Sequence, residues 1–379
     1  VVEVCKDRLD NAQEGNKTKQ LMRWMPLLFV LISGGLTAYA QTDAEALRYS
    51  TTQFTGTARS AAMGGAMTGL GGDISAVSIN PAGLGQMGIS EFTFTGGLSF
   101  TGSTTDFLGL SRKDDKTAFQ VNQVGAVWVP KKNFKSVKNI SVAFSYNRVG
   151  NFSERYQGRG INSSSSFSDS YADLLNDNNA TISQAQNDYP FGASLAYLSG
   201  IVDFFTFPEN PQSNGFYSIL DLPIEQVMQV SRTGGMNDIS IGTGIALNDF
   251  FMVGASLGIP SLTFEEDFFW RENDVNNVTP EFQSWEKRDL LRVRGTGINA
   301  KFGFLALPNK NFRIGASFTT PTRFSISDRF TTFFRADYRT ETIENFNTPS
   351  EGLFDYRMVT PWRLNVGASA LSNKLGLIT

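Results

Sequence analysis

From Glu91 onward, apolar residues recur at every second position in one run after another. Ile140, Val142, Phe144 and Tyr146 alternate with Ser141, Ala143, Ser145 and Asn147. Ile239, Ile241, Ile245 and Leu247 stand against Ser240, Gly242, Gly244 and Ala246, and Phe312, Ile314, Ala316 and Phe318 against Arg313, Gly315, Ser317 and Thr319. A period of two marks strands whose faces meet different surroundings. It predicts strands at about 91–102, 121–130, 139–150, 237–247, 251–260, 290–307, 312–330 and 356–371, with a ninth starting at 375. Between Val293 and Ile298 the apolar parity flips across Gly295-Thr296-Gly297, which predicts a β-bulge.

Alternation fits a soluble sandwich, whose apolar face is the core, and equally a transmembrane barrel, whose apolar face meets lipid. The connections discriminate. Short links at Pro130 to Asn139, Asn248-Asp249, Pro308 to Asn311 and Ser372 to Lys374 alternate with long ones at 103–120, 151–236, 260–289 and about 331–355. Outer-membrane barrels combine short periplasmic turns with long outer loops. Aromatic residues near strand ends, Trp128, Tyr146, Phe268, Phe269, Trp270, Phe330, Tyr356 and Trp362, are expected to form girdles at the two lipid interfaces.

Composition narrows the function classes. The 36 Gly, 32 Phe and 18% charged residues suit a membrane β architecture, while no window reaches the ~18 consecutive apolar residues of a spanning helix. A formal net charge of −3 offers no basic face to nucleic acid. The chain has no histidine and a single cysteine, Cys5, which removes Ser-His-Asp and Cys-His catalysis and the usual zinc sites. Neither an enzyme nor a metal or other cofactor is expected. Asp169, Asp173 and Asp177, four residues apart, read as the solvated face of a loop helix rather than a calcium site.

Arg23, the apolar run Trp24 to Leu36 and the small residues of Thr37-Ala38-Tyr39-Ala40 have the order of a secretory signal peptide. It is expected to span 22–40, with cleavage before Gln41, and the polar, aperiodic residues 1–21 are expected to be an upstream leader outside the fold.

Residues 41–90 are not strand-like. Glycines and alanines accumulate between Gly56 and Gly88 without a phosphate-loop pattern, so tight turns are the expected use. Ala58-Arg59-Ser60-Ala61-Ala62-Met63-Gly64-Gly65-Ala66 is followed by Gly72-Asp73-Ile74-Ser75-Ala76-Val77 and then by Asn80-Pro81-Ala82-Gly83-Leu84-Gly85. In these stretches, placed after a signal peptide and before the first strand, the chain resembles the FadL/OmpP1/TodX family of outer-membrane transporters. The resemblance implies an N-terminal hatch plugging a fourteen-stranded barrel that admits hydrophobic compounds, notably long-chain fatty acids. An eight-stranded barrel has no room for such a plug. The fold class expected is therefore all-β: an antiparallel transmembrane β-barrel, C-terminally truncated over 91–379, with a hatch over 41–90.

The function expected is passive uptake of a hydrophobic small molecule in the outer membrane of a Gram-negative bacterium, with outer-membrane lipid as the other partner. The alternative is a non-transporting module of a secretion or assembly system on the same barrel. Met63, Gly64, Gly65, Asn80, Pro81, Ala82 and Gly83 are the expected hatch and gating residues. In the outer loops, Leu262, Phe264, Phe268, Phe269, Phe330, Phe333 and Phe334 are the candidates for an apolar capture groove.

Overall fold

The alternating segments form strands, and most strands run further than the pattern predicts. In the computed structural model, which describes residues 43–53, 56–131, 136–346, 351–371 and 376–378, one large antiparallel sheet curls as a half-barrel. The expected leader with Cys5, the signal peptide and its cleavage site, and the link at Ser372 to Lys374 lie outside the described residues. The chain divides into two compact units, 1–48 and 49–379, with helix α1 (Asp43–Ser50) containing the boundary. Every strand of the sheet belongs to the second unit.

The sheet follows the order β1 (Glu91–Phe107), β2 (Leu110–Trp128), β3 (Asn139–Asn151), β7 (Ile224–Ala246), β8 (Phe251–Asn273), β9 (Phe282–Ala306), β10 (Phe312–Thr319), β14 (Arg363–Leu371) and β15 (Gly376–Ile378). Above β10 and β14 the same path continues as β11 (Arg323–Tyr338) and β13 (Gly352–Val359), while β4 (Glu154–Asn162) pairs with the upper half of β7 and β12 (Thr342–Phe346) with β11. The short links at one end of the sheet share a device. Asn248 Oδ1 accepts from the backbone N–H of Phe250 and Phe251, and Asn309 Oδ1 accepts from those of Asn311 and Phe312, so an Asx turn reverses the chain at each.

Much of what was expected as long loop is strand. β1 and β2 meet at a two-residue turn, Leu108-Gly109, both at positive φ, and β8 and β9 continue to Asn273 and Phe282. Among the described residues, only the connection 151–236 builds an insert of its own: β4, the helices α4 (Asp169–Asp177), α5 (Ile182–Asn187) and α6 (Ala193–Leu198), and the hairpin β5 (Val202–Phe205) and β6 (Gly215–Ser218). Helices α2 (Ala58–Ala62) and α3 (Ala76–Ile79) lie before the sheet.

Side-chain exposure shows which of the two faces is covered. Along β1, Phe92 is 73% exposed and Phe100 75%, with Phe94 and Leu98 between them also exposed. On neighbouring strands Phe144, Ile241, Leu257, Phe302, Ile314 and Val366 point the same way, while Ser141, Ser145, Ser240, Ser256 and Ser317 on the opposite face are buried. The apolar face is outside and the polar face inside.

The outward band has a definite upper limit. On β8 the outward positions Phe251, Val253, Ala255, Leu257 and Ile259 give way to Ser261, Thr263 and Glu265, while the inward positions become Leu262 and Phe264, each 1% exposed. On β9 the outward Phe302 and Ile298 give way to Thr296, Arg294 and Arg292, and Val293 turns inward. Pairing against β8 and β11 keeps a constant register through Gly295-Thr296-Gly297, so the expected bulge is absent there. The parity of β9 holds. Its surroundings exchange polarity at this level, and an exchange of surroundings writes the same pattern into a sequence as a shift of one residue. The real reset lies one strand over. Thr319 pairs with Lys301 and Arg323 with Ile298, so four steps on one strand oppose three on the other, at Pro321, which cannot donate to the ladder. The partner strand changes face at Pro361 in the same way, with Arg323 opposite Val359 and Thr319 opposite Arg363.

Candidate functional site

Residues 56–87 lie on the concave polar face, and the sequence of that face explains how an irregular segment can be buried there. A buried loop needs partners for its carbonyls. Strand side chains supply them: Ser256 donates to Val77 O at 2.7 Å, Ser141 to Leu84 O at 2.6 Å, Asn139 to Met87 O at 2.6 Å, Arg313 to Leu70 O at 2.6 Å and Ser369 to Gly69 O at 3.0 Å. Close approach comes from glycines. Gly244, Gly254 and Gly303 are paired in one row across β7, β8 and β9, and a Cβ at any of them would collide with the turn Asn80–Gly85.

Asn80 is fully buried and holds this turn by both ends of its amide. Its Oδ1 accepts from Ala82 N at 3.2 Å, while its Nδ2 donates to Thr68 O at 2.7 Å and to Phe304 O of β9 at 3.1 Å. Pro81 opens a 3-10 helix over Pro81–Gln86 in which Ala82 and Gly83 are buried. Met63 caps α2 and packs against Met67, Leu70 and Ile79. Gly64 and Gly65 both have positive φ, so they serve the turn after α2. The hatch candidates thus lie in one segment: Asn80 to Gly83 stand against β7 to β10, and Met63 packs in a cluster that Leu371 of β14 and Ile378 of β15 also border.

The loop candidates are divided between four places. Leu262 and Phe264 enter an inner cluster with Tyr49, Met236, Val293, Phe324 and Ile326. Phe334, stacked on Trp285 at 5.4 Å, and Phe268 belong to a higher core shared with α4 to α6. Phe269 and Phe333 are on the outward side, both cross-strand from Arg288, and Phe330 meets Phe191 edge-on at 4.5 Å. They do not form one groove. Of the expected girdle, Trp128 and Trp362 are exposed at opposite limits of the apolar band, whereas Trp270 is buried in the higher core and Tyr356 packs on the inner cluster. Those strands carry an inner core above the band, and there the aromatic side chains turn inward.

That higher core is organised around a buried carboxylate. Glu272 accepts from Phe167 N at 2.7 Å, Gln226 Nε2 at 2.7 Å and Trp285 Nε1 at 2.8 Å, and Ser166 completes the set. Lys287 pairs with Asp289 at 2.9 Å beneath the rings of Phe167, Tyr171 and Phe268. Burial pulls its ammonium pKa down, but Tyr171 and Asp289 outweigh this and the net shift is upward. Asp173 and Asp177 of α4 face solvent, while Tyr171, Ala172 and Leu175 pack inward.

Between the N-terminal segment and the sheet is a cavity that sequence reasoning missed. Tyr49, Ile79, Val149, Met236, Pro260 and Phe324 make its apolar wall, and Asn147, Asp238, Asn299, Lys301, Arg363 and Asn365 its polar wall. Asp238 and Lys301 form an ion pair of 2.7 Å with both side chains 7% exposed. The available signal was a pair of opposite charges, Asp238 and Lys301, at inward positions of β7 and β9, where small and polar residues prevail. No protein-family model, curated protein or solved structure matches the chain.

Proposed function

We propose that the chain is an outer-membrane β-barrel protein of a Gram-negative bacterium that passes hydrophobic small molecules, long-chain fatty acids or compounds like them, inward without an energy source. One observation carries the membrane half of this reading: an exposed apolar band on a sheet whose polar face is buried. From Phe251 to Ile259 the band covers about 20 Å of height at the usual strand rise and tilt, close to the ~25 Å apolar belt of such barrels. In water an apolar surface of this extent would drive aggregation. Further strands beyond β1 and β15 would close the barrel, and residues 41–90 would be its plug.

The transport half rests on the seating of that segment and on the half-apolar cavity beside it. Glycine-row packing and hydrogen bonds through Asn80 suit a plug that is positioned by the wall rather than bonded into the sheet, in keeping with the FadL-like motif. Uptake of a labelled long-chain fatty acid by cells carrying the protein tests the reading, comparing wild type with Asn80→Ala and Pro81→Ala at matched surface abundance. Altered uptake per molecule in the variants is the expected result. Absence of uptake by the wild type would refute transport and favour a non-transporting assembly module.

A further inference from the structure

The cavity holds buried hydrogen-bond acceptors for which no donor stands among the described residues. Lys301 and Ser240 both donate to Oδ2 of Asp238, at 2.7 and 3.0 Å, and Oδ1 of the same carboxylate has no partner. Asn299 donates its Nδ2 to Thr322 Oγ1 and Asn147 donates its own to Ser78 Oγ, leaving both amide oxygens buried and without a partner. All three residues line the cavity. Two of these oxygens and Lys301 Nζ form one polar seat beside Gly258 of β8, where an added Cβ would lie 2.7 Å from Asn299 Oδ1, 2.8 Å from Lys301 Nζ and 2.9 Å from Asp238 Oδ1, too close for them to keep their places.

A buried acceptor left unpaired is costly, so this seat favours an occupant that donates. The occupant must also accept, because Lys301 Nζ borders the same seat. A carboxylate brings only acceptors and would confront Asp238 Oδ1, and the lysine charge is already neutralised by Asp238. An ammonium would stand against Lys301, and an alkane would leave every group unpaired. A hydroxyl both donates and accepts. The geometry points to a neutral hydroxyl as the polar end of the ligand, its apolar body lying along Tyr49, Val149, Met236 and Phe324. This inference rests on the proposed entry of apolar compounds into the protein's interior, and it departs from the fatty acid that the motif resemblance suggests.

The test is a head-group ladder at constant chain length. Binding of radiolabelled 1-decanol, decanoate and decane to the purified full chain in detergent micelles is measured against empty micelles. Decanol is expected to bind at least about tenfold tighter than either of the others. In Gly258→Ala the new methyl group pushes Asn299 Oδ1, Lys301 Nζ and Asp238 Oδ1 out of their places, and all three are ends of side chains, so the seat is lost without a clash against backbone. That variant is expected to bind decanol no better than decane. Decanoate binding as tightly as decanol would overturn the hydroxyl assignment and leave the uptake reading standing. Decanol no better than decane in the wild type would show that water alone fills the seat, which also overturns it. Failure of all three to bind above micelle background would overturn the uptake reading together with this one.

Discussion

Substitution of alanine at Gly69 separates close packing from backbone conformation as the reason for glycine in the N-terminal segment. A Cβ at Gly69 would lie 2.7 Å from both C and O of Gly367 and 2.9 Å from Ala368 N, all backbone atoms of β14, where ordinary contact begins at 3.4 Å. The segment would have to lift by about 0.7 Å, the difference between those distances. Such a lift stretches the 3.0 Å bond from Ser369 to Gly69 O beyond hydrogen-bond range and weakens the 2.6 Å bond from Arg313 to Leu70 O. Overpacking and one lost buried bond together cost about 2–4 kcal/mol. Gly64 supplies the contrast. It has φ of +61° and open space where a Cβ would stand, so Gly64→Ala meets strain without collision and costs about 1 kcal/mol. Urea unfolding of the two variants in the same detergent, with hydrogen exchange over 67–72, reads the difference. Gly69→Ala should lower the midpoint more and deprotect those amides. Equal midpoints, or unchanged protection in Gly69→Ala, would refute the claim that this segment is seated by backbone contact with the sheet.

The apolar band and the region above it each carry a further prediction. Ile241→Arg places a charge on the outward face in mid-band, where a bilayer imposes about 2–4 kcal/mol, so folding into lipid vesicles should fall sharply; undiminished folding would contradict the membrane reading. Tyr338, above the band, donates to Ser199 O at 2.9 Å, and burial, aided by Glu341 and Asp203, pushes its phenol up to about 12 from 10.0. The folded state therefore holds this proton more tightly, and the stability it contributes is complete below about pH 10 and lost as the pH rises through about 12. Tyr338→Phe should cost about 1 kcal/mol at neutral pH and flatten the alkaline melt followed by the fluorescence of Trp285 and Trp270, a result that an unchanged melt would refute.

The period of two located the strands because it is a property of the backbone: successive side chains point to opposite faces whatever covers them. The short links at Asn248-Asp249 and Pro308 to Asn311 were legible for a related reason, since each turn is made by residues adjacent in the chain. What stands against each face was not local. Ser141 and Arg313 read only as the polar positions of alternating strands, and the folded segment showed them, with Ser256, to be donors to its carbonyls. The exchange of polarity on β8 and β9 was mistaken for a bulge because the two give the same one-dimensional pattern. The seat beside Gly258 joins Asp238, Gly258, Asn299 and Lys301 from three strands, and the capture-groove candidates were dispersed among four places by strand parity and height. Those outcomes depend on register and curvature across the sheet, which arise from pairings between residues far apart in the chain.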